Sequence, residues 1–508
     1  MIRYIMIGIT LLATMSVQGE PVTLQTPQGR LLGDTSGPNG EVRVFKGIPF
    51  AIPPVGNWRW RPAEPALSWK AVRLATRFSP NCSQPIYPEG SFFSSPNAPT
   101  SEDCLYLNVW STASGDTKRP VMVWIHGGGL TRGSGSTGAY DGTELARKGV
   151  VVVTINYRLG IFGYFTHPEL SKESPHSASG NYGTSDQVMA LRWVRDNISA
   201  FGGDPNNVTI FGESAGSFSV HHMMSTPLAA GLFHRAIGES GTSFGPMLEL
   251  KTGKVTAESN GVKFASAVGA GYLRELRNMT SEKVLLASQS HRFRPVKDGW
   301  IFPDQIYNVF RDGKYNAVPL MVGFNAEEGT TLGVLGRIPK DQASYVGGVR
   351  QRYGDLADEF LTLYPASDLR GSALNAFRDG FATWGMQTWA MMMANTNTDA
   401  YLYYFSHWPS GKELGAYHAA EILYVFNNVI RLRPDAPAND VALSDLMSDY
   451  WVAFAKQGDP NAKGLPKWKA YTEKSRRYME FKDGKALAGK DLLPGVWEFH
   501  DKLNSQRR

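Results

Sequence analysis

The sequence predicts an α/β protein built on a large, mostly parallel sheet with helices on both faces. Three observations carry this. Short apolar, β-branched runs recur at 121–125, 150–155, 208–211, 320–324 and 401–405, several bounded by glycine or proline, as strands buried on both faces are. Helical periodicities lie between them, which points to a largely parallel sheet covered on both faces. No internal repeat or linker divides the chain, so a single domain is expected over residues 20–508. Such sheets bind ligands at the carboxyl ends of their strands.

The clearest helix is predicted over 185–201. Val188, Leu191, Val194, Ile198 and Phe201 recur at helical spacing and share one face. Ser185 and Asp186 supply acceptors near its expected start, and Gly202-Gly203 ends it.

Composition narrows the function classes. The chain of 508 residues is 42% hydrophobic and 19% charged, enough for a large core and unlike a disordered chain. Its 53 glycines and 30 prolines show no period, which excludes collagen-like repeats. Lys+Arg of 52 against Asp+Glu of 46 leaves a net charge of +6. The basic residues are scattered, so a pI near 9.0 does not indicate a nucleic-acid partner. The 2 cysteines, Cys82 and Cys104, exclude a disulfide-rich scaffold and four-cysteine metal sites.

The N-terminus reads as a secretory signal peptide over residues 1–19. Arg3 precedes an apolar run from Ile5 to Val17, and Val17 and Gly19 stand at the −3 and −1 positions of a cut before Glu20. The run is shorter than the ~20 residues that span a bilayer, and no later stretch is long and apolar enough. A secreted or periplasmic protein with no integral membrane span is expected.

The most informative segment is Val208-Thr-Ile-Phe-Gly-Glu-Ser-Ala-Gly-Ser-Phe (208–218). An apolar strand runs into Gly212-Glu213-Ser214-Ala215-Gly216, and a helical stretch follows. This is the Gly-x-Ser-x-Gly elbow, in which a sharp turn lifts a serine hydroxyl clear of the sheet. The Ala215 amide, at the following helix N-terminus, points toward developing negative charge. A second segment, Val121-Met-Val-Trp-Ile-His-Gly-Gly-Gly (121–129), is a strand ending in a triple glycine. Attack on an ester carbonyl creates an oxyanion that needs preorganised amide donors, and glycines turn their N–H groups inward without filling the pocket. His126, just before them, is expected to bond the loop in place.

On these motifs the sequence resembles the type-B carboxylesterases, relatives of the cholinesterases within the α/β-hydrolase fold. The matching segments run in order through most of the chain: 45–56 (Phe-Lys-Gly-Ile-Pro-Phe-Ala-Ile-Pro-Pro-Val-Gly), 101–109 (Ser-Glu-Asp-Cys-Leu-Tyr-Leu-Asn-Val), 156–160 (Asn-Tyr-Arg-Leu-Gly), 180–183 and 201–205. The resemblance implies long insertions that form a gorge, and hydrolysis of small-molecule esters without cofactor or metal.

It also implies site residues. The family's acid is a glutamate before a glycine after a strand; in Val322-Gly-Phe-Asn-Ala-Glu-Glu-Gly-Thr (322–330) that is Glu328, with Glu327 its neighbour. The family's histidine lies in Gly-x-x-His-x-x-Glu; residues 415–421 fit and select His418. Ser214, Glu328 and His418 follow the order serine, acid, histidine of this fold. Gly128 and Gly129 match the family's oxyanion donors, with Ala215 the third. Glu213 stands where the family usually has a glutamate, and Ser240 matches a serine that bonds around the triad. Cys82 and Cys104 match the family's first disulfide. A His418/Glu421 metal pair would need further ligands that are not apparent.

Several features have bland readings. His221 and His222 read as packing or surface histidines. The aromatics and methionines of 381–393 read as core before acyl pocket. Asn81, Asn197, Asn207 and Asn278 begin sequons that chance explains. The loop from Cys82 to Cys104 contains no tryptophan, only Tyr87, Phe92 and Phe93, so neutral or aromatic esters are expected over cationic ones. The alternatives are a lipase-like enzyme, a hydrolase of bulky natural or synthetic esters, and an inactive adhesion module on the same fold. Pocket shape rests on the long segments 247–300 and 332–398.

Overall fold

In the computed structural model, which describes residues 21–86, 99–112, 117–396, 398–410 and 413–506, side-chain alternation explains the continuous apolar strands. Val121, Val123 and Ile125 turn to one face of the sheet, and Met122 and Trp124 to the other, all fully buried. Both faces are covered, so neither set can be polar.

The sheet strands are β1 (Val22–Thr26), β2 (Gly29–Ser36), β3 (Val42–Pro49), β4 (Tyr106–Ser111), β5 (Arg119–Ile125), β6 (Val151–Ile155), β7 (Gly203–Glu213), β8 (Arg235–Glu239), β9 (Leu320–Asn325), β10 (Ala400–Phe405), β11 (Arg477–Lys482) and β12 (Lys485–Lys490). Their spatial order is β1-β2-β3-β4-β6-β5-β7-β8-β9-β10-β11-β12, with a short strand Arg73–Leu74 beside β2. From β6 through β11 every neighbouring pair is parallel. The β1–β4 end and the β11/β12 hairpin are antiparallel. The fold is that of the α/β hydrolases, and each of the five expected strands lies within a strand of the central sheet, to within one residue.

On one face lie α1 (Tyr182–Asn197), α2 (Ala215–Ser225) and α3 (Trp384–Ala394); on the other lies α4 (Ala438–Gln457). The helix expected from residue 185 begins three residues earlier and ends in a 3₁₀ turn, Ile198–Phe201. Ser185 and Asp186 therefore lie inside it and do not cap it. Their acceptors serve other segments: Asp186 Oδ1 lies 2.6 Å from Arg158 Nη2 in a buried ion pair, and Ser185 Oγ accepts the Ala63 amide at 3.2 Å. A left-handed Asn181, φ 56°, starts the helix instead.

Among the described residues no helix is long and apolar enough to cross a membrane. Residues 1–19 lie outside the described residues, as do Tyr87, Phe92 and Phe93. Cys82 and Cys104 form a disulfide, Cα atoms 4.9 Å apart. His221 and His222 are both buried. His221 packs on Phe244, Phe310 and Trp389, and burial pushes the His222 imidazole down to about 3. Trp384, Met386, Trp389 and Met393 join the core as expected. Asn197 is buried and donates to Trp193 O, whereas Asn278 is exposed.

Candidate active site

The carboxyl ends of four parallel strands meet at one place. β7 ends at Glu213, and Ser214 takes φ 57°, ψ −120° before α2 begins at Ala215. A non-glycine residue in that conformation is strained and is held by its surroundings. Two bonds hold it: the Ser214 amide donates to Glu239 O at 2.8 Å, and its carbonyl accepts from the Phe218 amide at 2.9 Å. The turn lies hard against the end of β5; a Cβ on Gly216 would stand 2.0 Å from the Ile125 carbonyl oxygen. That contact explains the second glycine of the elbow. The Ser214 hydroxyl carries no hydrogen bond to another described residue.

The chain leaving β5 passes the elbow through Gly127, Gly128 and Gly129. Gly128 has φ +102°, and a Cβ there would meet the Arg132 carbonyl oxygen at 2.2 Å, so this position of the loop requires glycine. Its carbonyl accepts the amides of Thr131 and Arg132 at 3.1 and 3.0 Å. The amides of Gly128 and Gly129 donate to no described residue. Ala215 opens α2, where the first amides have no intrahelical acceptor. Ala215 follows the serine directly, and Gly128 and Gly129 follow Gly127, which packs closely on the elbow.

His126 braces this loop. Its Nδ1 is 2.8 Å from Gly127 O, its ring stacks on Tyr157 at 4.4 Å, and Tyr157 OH donates to its carbonyl. Burial lowers its pKa to about 4, so the ring is neutral. The disulfide supports the far end of the loop, because Gln84, two residues after Cys82, exchanges two hydrogen bonds with Gly133.

β9 ends at Asn325, and Glu328 follows in a 3₁₀ turn. Glu328 is fully buried. One oxygen accepts the Asn325 amide at 2.9 Å; the other lies 2.5 Å from His418 Nδ1. Glu327 faces elsewhere: it accepts the Ala416 amide at 2.7 Å and so pins the segment that carries His418. The opposite ring nitrogen, Nε2, lies 3.1 Å from Glu213 Oε1, without the alignment of a hydrogen bond. Phe381, in a one-turn π bulge ahead of α3, sets its ring steeply inclined to that of His418, with centroids 5.5 Å apart. It is the one aromatic of the 381–393 segment that turns toward the histidine.

Behind the histidine lies a buried polar network. Glu421 accepts from Asn325 Nδ2 at 2.5 Å, from Ser240 Oγ at 3.4 Å and from Tyr403 OH at 3.5 Å. Glu239 accepts from Trp451 Nε1 at 2.7 Å. Burial pushes the carboxyl groups of Glu213 and Glu239 well above their ordinary range and that of Glu421 up to about 7. Burial alone would lower His418, yet the charges of Glu213 and Glu328 carry it up to about 9. The cluster thus shares protons: buried carboxylates this close cannot all ionise against one imidazolium.

Glu328 thus meets one ring nitrogen of His418 and Glu213, the residue before Ser214, meets the other; a Cβ on Gly127 would stand 3.2 Å from that of Ser214, and Ser240 lies in the layer behind. Sequence reasoning did not assign Glu421, Glu239, Asn325 or Tyr403. Glu421 stood within the 415–421 motif and Glu239 beside Ser240, but only as neighbours; Tyr403 reads as an ordinary strand residue.

The model of the family described as Carboxylesterase family matches residues 20–494. The fumonisin B1 esterase of Sphingopyxis macrogoltabida is 37% identical over 487 residues, covering 91% of this chain and 88% of that protein. Liver carboxylesterase 1F of Rattus norvegicus is 36% identical over 527 residues, covering 91% of each. The solved structure of a PNB esterase superposes with a TM-score of 0.79 at 33% identity, covering 95% of this chain and 99% of that one.

Proposed function

Given that the chain belongs to the carboxylesterase family and is a carboxylic ester hydrolase, we propose that it acts through an acyl-enzyme on Ser214. His418 takes the Ser214 proton as the hydroxyl attacks the ester carbonyl, then delivers it to the departing alcohol oxygen. The amides of Gly128, Gly129 and Ala215 receive the negative charge that develops on the carbonyl oxygen. Glu328 fixes the imidazole tautomer, so that Nε2 is the nitrogen facing the serine. Water activated by the same nitrogen then releases the acid. Glu213 favours the imidazolium that forms in each step, and Ser240 steadies the carboxylates behind it.

The observation that carries this reading is the 2.5 Å contact of Glu328 with His418 Nδ1, with the other ring nitrogen against Glu213, the residue before a serine held at φ 57°. Ser214→Ala should lose on the order of 10⁴-fold or more in kcat while keeping its melting temperature. Full activity in that variant would overturn the assignment.

The proposal extends to context. Residues 1–19 are a leader removed on export, the mature chain from residue 20 is one domain, and the Cys82–Cys104 disulfide suits an oxidising compartment. The preferred substrates are neutral or aromatic esters over cationic ones.

A further inference from the structure

The glycine loop doubles back on itself. Leaving β5, it passes the elbow at Gly127, where a Cβ would stand 2.8 Å from Glu213 O, and it returns through residues 132–135. Its two arms touch closely. A Cβ on Gly133 would lie 2.4 Å from His126 Nδ1 and 2.5 Å from Gly127 O, just as one on Gly128 would meet Arg132 O. The placement of Arg132 and Gly133 therefore sets the placement of Gly127 and Gly128. Gly133 has no side chain with which to fasten the returning arm, so the arm is held from outside.

Gln84 holds it. The side-chain nitrogen donates to Gly133 O at 2.9 Å, and the side-chain oxygen accepts the Gly133 amide at 2.8 Å. Among the described residues, both backbone groups of Gly133 bond this side chain and no other. The same nitrogen donates to Cys82 O at 3.0 Å, which ties the amide to the loop closed by the disulfide. Arg132 Nε adds a bond to Pro85 O at 3.2 Å. Two residues on, the hold is redundant: Asn156 Oδ1 accepts the Gly135 amide at 2.9 Å, and Thr154 Oγ1 donates to its carbonyl at 2.7 Å. Gln84 is buried, and burying an amide costs free energy that an apolar side chain of the same size does not. Its three bonds offset that cost, and the pair to Gly133 copies the two-way N–H and C=O exchange of paired strands. What the glutamine adds to bulk is direction and register.

We propose that Gln84 is a positioning residue for ester hydrolysis: by tying Gly133 to the disulfide-closed loop, it keeps the Gly128 and Gly129 amides aimed at the oxygen on which charge develops. The inference rests on the serine-esterase reading above and deepens it, because it names what preorganises the donors and gives the Cys82–Cys104 bridge a part in kcat besides stability. Preorganised donors need no reorganisation as charge develops, so a loosened arm raises the barrier without weakening ground-state binding.

The test pairs an inhibitor that becomes an oxyanion with one that does not. An alkyl trifluoromethyl ketone accepts Ser214 Oγ at its carbonyl carbon; the carbonyl π pair moves onto oxygen, and the serine proton passes to His418. The matched methyl ketone stays a ketone. Gln84→Met keeps the length of the side chain and loses all three bonds. In that variant Ki for the trifluoromethyl ketone should rise on the order of tenfold, less than the 10²–10³-fold typical of deleting a whole oxyanion donor. The kcat per active site, counted by organophosphate titration, should fall by a similar factor, and Ki for the methyl ketone should stay in place. Lost folding lowers the number of titrated sites and does not move Ki. An unchanged trifluoromethyl ketone Ki, or a methyl ketone Ki that rises as much, would overturn the proposal. Cys82→Ala/Cys104→Ala supplies a second route: it should weaken the trifluoromethyl ketone in the same way, and adding Gln84→Met should cost little more, because the bridge acts through that side chain. Full additivity would overturn the link to the bridge. An unmodified protein that binds the two ketones equally would count against the serine reading instead.

Discussion

Glu328 and Glu327 are adjacent in sequence yet serve different partners: Glu328 reaches His418 Nδ1 at 2.5 Å, whereas Glu327 accepts the Ala416 amide at 2.7 Å. One carboxylate orients the imidazole, and the other fastens the loop on which the imidazole is carried.

Unequal consequences are expected when each is neutralised. Glu328→Gln presents an amide to Nδ1 and can favour the wrong tautomer, so kcat should drop on the order of 10⁴-fold. Glu327→Gln keeps an oxygen acceptor for the Ala416 amide and should lose far less. Steady-state kinetics on the two variants check this, and the reverse ranking would move the triad acid by one residue.

The pH profile should carry the mark of Glu213. His418 must be neutral to act as base, and its pKa is raised to about 9 chiefly because the charges of Glu213 and Glu328 outweigh burial. The acid limb of kcat/KM is therefore expected above the ordinary histidine value of about 6.5. Glu213→Gln removes a negative neighbour, destabilises the imidazolium and should shift that limb to lower pH. A limb that stays in place or moves upward in the variant would contradict an electrostatic role for Glu213.

Acetylthiocholine should be a poor substrate beside a neutral thioester of the same acyl group and similar size. Cation–π attraction to a tryptophan is worth up to about 2 kcal/mol when desolvated, and the loop from Cys82 to Cys104 contains no tryptophan. A clear preference for acetylthiocholine in kcat/KM would mean that another aromatic surface binds it.

Legibility in the sequence followed locality. The strands of the central sheet stand out because burial on both faces leaves unbroken apolar runs, and the elbow stands out because a close approach to Ile125 and a left-handed serine demand glycine on either side within five residues. Helix α1 starts earlier than its sequence suggests: Ser185 and Asp186 resemble caps, but Asp186 bonds Arg158 from far earlier in the chain. The layer behind His418 was harder still. Glu239, Asn325 and Tyr403 come together only through the parallel register that sets Glu239 beside Gly323 and Gly323 beside Tyr403, and no short motif encodes that register. The Glu328–His418 pair became readable only through resemblance to a family whose motifs mark both positions.

The central claim is that Ser214 is the nucleophile, and covalent labelling tests it most directly. The purified protein is treated with an excess of an organophosphate, digested, and mapped by peptide mass spectrometry, with residual ester hydrolysis followed in parallel. A single adduct on Ser214, formed in step with loss of activity and absent from Glu328→Gln treated for the same time, is the expected result. Complete inactivation with the adduct on another residue, or full labelling of Ser214 with activity retained, would contradict it.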